Sequence, residues 1–177
     1  MSDSDGFILE RFDASSPVFD DVLRIYLEVF GGEEDRIREF ITRYAMTLPD
    51  WHGYVATRGG NAGGMGFGMR SLPGQWWHDR VAAQIDAEHP ALQDAWVLVD
   101  LAVRPAYQRR GIGGAQLNTL LACQPCPRAL LSTEVTNTGA RRLYERNGWR
   151  YLHPGFVFTL GQQPFVVMGR EITTADQ

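Results

Sequence analysis

The sequence predicts an α+β fold, a mixed α/β sandwich built on one sheet. Three observations carry that reading. Segments with a two-residue hydrophobic period alternate with segments of helical spacing along the whole chain. One stretch has the order strand, glycine turn, helix, strand, which makes a right-handed βαβ unit with parallel strands. The rest of the chain reads as antiparallel. At 177 residues, 44% of them hydrophobic, the chain suits a single domain, 1–177, with one real core.

The elements follow in order. Phe7 to Phe12 is a short strand. Pro17 to Phe30 places Val18, Val22, Ile25, Tyr26 and Val29 at helical spacing, Gly31-Gly32 breaks the pattern, and Glu33 to Met46 resumes it as a second helix. Gly53 to Thr57 and Ala62 to Met69 read as a hairpin around Gly59-Gly60-Asn61. Residues 71–94 are too long for a hairpin connection and are expected to form an ordered insert between two sheet strands, with Trp76, Trp77 and a helix from Val81 to Glu88. Ala95 to Val103, AWVLVDLAV, is apolar at nearly every position, as in a strand covered on both faces, and Asp100 is its one charge. Ala115 to Cys123 forms a helix with Leu117, Leu120 and Leu121 on one face. Ala129 to Ser132 is a strand. Ala140 to Asn147 is a helix that ends at Gly148. Trp149 to Leu152 and Phe165 to Met168 are the last strands.

Composition excludes several classes. The net charge is −4 and no basic run interleaves with aromatics, so no nucleic-acid partner is expected. No apolar run approaches the ~18 residues needed to span a bilayer, so no membrane partner is expected. The N-terminal MSDSDGF is acidic and polar, unlike a secretory or transit peptide, and the expected compartment is the cytoplasm. Cys123-Gln-Pro-Cys126 has CxxC spacing but follows a helix instead of opening one, where the helix dipole would favour a thiolate. It reads as two reduced thiols in a loop. Zinc would need a second ligand pair that the sequence lacks, so no metal is expected.

The densest punctuation is Gly111, Gly113 and Gly114 between the apolar strand and the next helix. A strand that feeds a glycine turn opening a helix makes an anion site, because free N–H groups and the helix dipole both favour negative charge. A phosphate loop of the GxxxxGK[ST] type is excluded, since no such lysine follows Gly111. The dinucleotide pattern GxGxxG fails at position 116, which is Gln.

The stretch Gln108-Arg109-Arg110-Gly111-Ile112-Gly113 matches (Q/R)xxGx(G/A), and here the chain resembles the GNAT superfamily, the Gcn5-related N-acetyltransferases. Asp100-Leu-Ala-Val-Arg-Pro105 resembles that family's central strand running into its pyrophosphate loop. Asn137 with Ala140-Arg-Arg-Leu-Tyr-Glu-Arg-Asn-Gly-Trp149 resembles the "N…A…LYE..GF" segment that follows. Two motifs in order, about thirty residues apart, are far more specific than the loop alone.

The resemblance implies a GNAT fold: a mostly antiparallel mixed sheet with a splayed parallel strand pair and helices on both faces. It implies acetyl-CoA as cosubstrate and direct attack by a primary amine, on a small molecule or a peptide, in a ternary complex. Amides from Arg109, Arg110, Gly111, Ile112, Gly113 and Gly114 would wrap the pyrophosphate, and Gln108 would belong to the same cofactor-binding loop. Backbone groups of Leu101 and Val103 would meet the pantetheine arm, and Asn137 would bond that arm or order the start of its helix. A lysine-like amine has a pKa near ~10.4 and must lose a proton before it attacks. Asp100 is the first candidate for the base, its aspartate length favouring a water relay; the competing reading is a structural carboxylate. Glu134 and His78 are the reserves. Tyr144 aligns with the family's tyrosine that protonates the leaving thiolate, or it serves only in packing. Trp76, Trp77 and His78 line an acceptor pocket or anchor the insert. A non-catalytic CoA-binding module is the rival class, and a homodimer is left open.

Overall fold

The computed structural model describes residues 6–173 and 176; the acidic stretch Met1–Asp5 lies outside them. The strands are β1 (Ile8–Arg11), β2 (His52–Arg58), β3 (Asn61–Ser71), β4 (Ala95–Val103), β5 (Arg128–Glu134), β6 (Arg150–Phe156) and β7 (Phe165–Glu171). The α-helices are α1 (Phe19–Phe30), α2 (Glu34–Glu39), α3 (Trp76–Ile85), α4 (Ile112–Cys123) and α5 (Thr138–Arg146). They are distributed over two compact units, residues 6–69 with 99–124 and residues 70–98 with 125–173. β4 contributes to both.

In the first unit the strand order is β1-β2-β3-β4. β1 pairs antiparallel with β2, Ile8 opposite Thr57 through Arg11 opposite Tyr54, and β2 pairs antiparallel with β3. The β2–β3 turn is Gly59-Gly60, and both residues have positive φ, at 55° and 81°. Two such residues give the hairpin turn whose twist matches its strands. β3 carries Gly64 and Gly66 because α4 and β4 come close there, and Gly63 because the Phe7 ring does. A Cβ on Gly64 would stand 2.8 Å from the Ala102 carbonyl oxygen, and one on Gly66 would stand 2.9 Å from Leu101 Cδ1 and 3.1 Å from Leu120 Cδ1. Phe7, Ala56 and Ile112 pack together, with Leu9, Val103 and Tyr107 around them.

The second helix is shorter than its spacing predicts. α2 gives way to a π turn over Phe40–Tyr44 and a 3-10 turn over Ala45–Thr47. Thr42 Oγ1 donates to the Arg38 carbonyl at 2.7 Å, a side-chain bond that competes with the helix ladder and loosens the turn.

In the second unit the order is β4-β5-β7-β6. β4 pairs parallel with β5 over four residues, Ala95 opposite Arg128 through Leu98 opposite Leu131. β7 pairs antiparallel with both β5 and β6. The core joins Val81, Leu92, Ala95, Leu130, Phe158 and Val167, with Trp77, Phe156 and Phe165 packed against it. The insert helix begins at Trp76, not Val81. The Gly74 N–H donates to Asp79 Oδ1 at 2.9 Å and closes the turn that starts it. It ends at Ile85 because Asp86 adopts φ 92°.

Candidate active site

In the first unit the strand exit is held firmly. Arg104 Nε donates to Glu28 Oε2 at 2.6 Å, which ties the end of β4 to α1, and Arg104 N–H donates to the Gly63 carbonyl at 2.9 Å. Pro105–Tyr107 forms a 3-10 turn, with Tyr107 edge-on to Phe7 at 5.3 Å and under the Arg110 guanidinium at 5.8 Å. Two consecutive turns of the chain then need positive φ. Arg109 has φ 61°, and Gly111, at 78°, is the left-handed N-cap of α4. A left-handed arginine is strained where a glycine is not, so the loop is held by its surroundings.

No side chain caps α4, and its first internal bond runs from the Ala115 N–H to the Gly111 carbonyl. The amides of Ile112, Gly113 and Gly114 therefore have no acceptor within the helix. They stand behind Gln108, Arg109, Arg110 and Gly111, all four exposed. This is the chemistry an anionic group requires: unclaimed N–H donors, the positive end of a helix dipole and guanidinium charge. The Gln108 amide donates to the Val103 carbonyl at 3.0 Å. One lone pair of that carbonyl, expected to serve a ligand, is thus already used by the loop.

Asp100 lies five residues before the 3-10 turn, on β4. It keeps some access to solvent, yet burial pushes its carboxyl up to about 7. No hydrogen bond or ion pair to it occurs among the described residues. Tyr26, on α1, is held well above the usual phenol range, first by its burial and then by the charge of Asp100. It lines a cavity of about 310 Å3 with Ile37, Phe40, Gly31 and the exposed pair Glu33–Arg36, whose Oε2 and Nε are 3.0 Å apart. Tyr26 does not stand out in the sequence because its place in the apolar stripe of α1 makes it look like core.

The second unit holds the other expected residues. Asn137 Oδ1 accepts the Ala140 N–H at 3.2 Å and caps α5, the helix-ordering role foreseen for it. Tyr144 is buried and packs on Trp149 with ring centroids 5.8 Å apart. Trp77 Nε1 donates to Ser132 Oγ at 2.9 Å and its ring stacks on Phe158. His78 is buried against Ser71. Trp76 alone of the three stays open, 53% exposed, with the Arg80 guanidinium over its ring. Trp77 and His78 are thus engaged inside their own unit. Glu134 is exposed at the end of β5. Cys123 is exposed at the last residue of α4, with its Sγ 3.0 Å from the Tyr54 hydroxyl, and Cys126 is buried; neither is in a disulfide among the described residues. No group of three metal-ligating side chains occurs among the described residues, and no helix there is long and apolar enough to cross a membrane.

With this geometry in place, comparison with known proteins defines the class. The model of the acetyltransferase (GNAT) domain matches residues 49–151, and the chain belongs to the GNAT acetyltransferase family. Its sequence is 33% identical over 119 residues to a GCN5-like protein acetyltransferase, Rv2170, of Mycobacterium tuberculosis. That match covers 62% of this chain and 58% of the relative, so the chain spans less than two thirds of that protein's length. Among solved structures it resembles the ribosomal-protein-S18-alanine N-acetyltransferase of Escherichia coli, with a TM-score of 0.64 at 16% identity over 95% of both chains. It also resembles a GNAT family acetyltransferase from Elizabethkingia anophelis with acetyl-CoA bound, with a TM-score of 0.60 at 16% identity over 94% of this chain and 99% of the other. Likeness at that identity establishes the fold, a mixed and mostly antiparallel seven-stranded arrangement with one parallel pair.

Proposed function

We propose that the chain is an N-acetyltransferase that uses acetyl-CoA and a primary-amine acceptor. The observation that carries this reading is the loop before α4. Three consecutive helix-start amides lack an internal acceptor behind two exposed arginines and a left-handed glycine. The residues from Gln108 to Gly114 would hold the pyrophosphate. When bound, the cosubstrate supplies the acetyl thioester.

Asp100 is the proposed base. A carboxyl near pH 7 with no partner is neither spent in an ion pair nor too acidic to accept a proton. The structural-carboxylate alternative calls for a bonded partner, and the described residues offer none. The acceptor amine would lose its proton to Asp100, through water as its short side chain favours. The cavity lined by Tyr26, Ile37 and Phe40 supports acceptor entry on this side, because Tyr26 feels the charge of Asp100. Its apolar and aromatic wall suits an amine with a hydrocarbon body. Tyr144 is the proposed acid for the departing thiolate, as the family resemblance implies.

The test is transfer from acetyl-CoA across a panel of amines, including N-terminal peptides and small aromatic and aliphatic amines. Turnover with one or more acceptors, lost in Asp100→Asn, supports the enzyme. Tight CoA binding with no transfer or hydrolysis across the panel would instead favour the non-catalytic module.

A further inference from the structure

We propose that the second unit carries a separate binding site for a small organic anion with an apolar body. The site is a cavity of about 400 Å3 at the end of the β5-β7-β6 strand set, beside the 3-10 turn Pro90–Leu92. Its shape follows from strand register. Gly169 on β7 is paired with Leu130 on one side and with Arg150 on the other. Paired residues present their side chains to one face, so Leu130 and Arg150 flank a position that has none. A Cβ there would stand 2.9 Å from Leu152 Cδ1 and 3.4 Å from Leu130 Cδ2. Glycine therefore lets the two leucines close into an apolar floor.

The walls are donors. Arg128, Arg150 and Arg170 line the cavity against a single carboxylate, Glu171, in a chain whose net charge is −4. Glu171 is already engaged by Arg128, Oε1 to Nε at 3.0 Å, and a second nitrogen of Arg128 donates to the Gln93 carbonyl. Those two bonds fix the guanidinium in place. Arg150 is exposed, and its side chain has no ion-pair or hydrogen-bond partner among the described residues. His89, also lining the cavity, accepts the Ala91 N–H at Nδ1, so its neutral ring carries the proton on Nε2 and adds a further donor. One fixed guanidinium, that of Arg128, and an uncommitted one, that of Arg150, over an apolar floor recognise a carboxylate or phosphate group attached to a short hydrocarbon or ring. All of these residues belong to the second unit, whereas the loop before α4 belongs to the first.

The experiment is calorimetric titration of the full chain, held saturated with CoA so that the loop before α4 is filled. The probes are phenyl phosphate, benzoate and inorganic phosphate. The expected result is saturable binding of phenyl phosphate or benzoate, tighter than inorganic phosphate and weakened by added salt. Arg150→Gln should weaken it by roughly tenfold, the loss of one charge-assisted contact, with transfer activity unchanged. Because Arg150 is exposed, the variant is expected to fold; an unchanged melting temperature checks this. No saturable binding, binding unaltered by Arg150→Gln and Arg170→Gln, or equal affinity for all three probes would overturn the proposal. Because activity is not the readout, its failure leaves the acetyltransferase reading standing, and the reverse holds too.

Discussion

Nδ1 of His78 lies 2.9 Å from Oγ of Ser71, with both side chains buried. The bond makes His78 a structural residue of the insert, and burial lowers its pKa below the ordinary imidazole value. A histidine held neutral in the fold gains a proton more readily when unfolded. Its contribution to stability is therefore present above pH ~6.5 and is lost as pH falls below that value. Thermal melts from pH 7.5 to 5 should show a decline that shrinks in His78→Gln. That variant should also cost about 1–3 kcal/mol of stability at pH 7.5, because one partner of a buried bond is altered, and so lower the melting temperature there. A decline identical in both proteins would remove His78 as its source.

Asp100 titrates with the opposite sign. Burial pushes its carboxyl from the ordinary 3.8 up to about 7 in the folded protein. The stability it contributes is complete below pH ~3.8 and lost as pH rises through about 7. Asp100→Asn should therefore raise the melting temperature at pH 8 relative to the native chain, by roughly 5 °C, with a smaller gain at pH 5. If Asp100 is the base, turnover should fall by about a hundredfold or more and the acidic limb of the pH–rate profile, set near pH 7, should move or vanish. Retained activity with an unmoved limb would direct attention to Glu134.

Gly113 lies in the first turn of α4, where an indole would fill the space in front of the unclaimed amides. Gly113→Trp should abolish CoA binding in calorimetry and leave the circular dichroism spectrum unchanged. Unchanged affinity would dissociate CoA from this loop.

Tyr144→Phe removes one hydroxyl and keeps the ring that packs on Trp149. The fold should survive. Loss of a general acid should lower kcat by roughly ten- to a thousandfold with little change in the KM for acetyl-CoA. Full kcat would leave Tyr144 with packing alone.

Gly64→Ala tests the close approach of β3 and α4. The added Cβ would meet the Ala102 carbonyl oxygen and Gln116 Oε1, each at 2.8 Å. Overpacking of this kind costs about 1–3 kcal/mol, which a denaturant melt would resolve. A melt superimposable on that of the native chain would show that α4 yields freely.

What the sequence made legible depended on whether a residue's environment was local. β4 was read from Ala95 to Val103 because an apolar run bounded by polar residues needs no tertiary information. The loop before α4 was legible because its glycines and arginines are contiguous. The start of α3 was missed although Pro73-Gly74 and Asp79 signal it, because Trp76 and Trp77 look like loop anchors until Phe158, about eighty residues away, is known to receive them. α2 was drawn too long because the Thr42 bond to the backbone is invisible in an apolar period. Tyr26 was hidden for the same reason in reverse: its helical spacing is that of a core residue, and only the fold brings the charge of Asp100 to bear on it.

Membership of β4 in both units has a consequence for synthesis. Ala95–Leu98 must wait for partners in Arg128–Leu131, about thirty residues further along the chain. At ordinary translation speeds of about 5–20 residues per second, that leaves a few seconds in which an apolar strand is made but has no partner on that side. Such a window of high strand propensity and low charge is a template for self-association. Asp100 is the only charge inside it, between the flanking Asp94 and Arg104, so the carboxylate proposed as the base would also be the nascent strand's one internal gatekeeper. While that strand is solvated the carboxyl would be ionised at neutral pH; burial, by raising its pKa, would come only once the danger has passed.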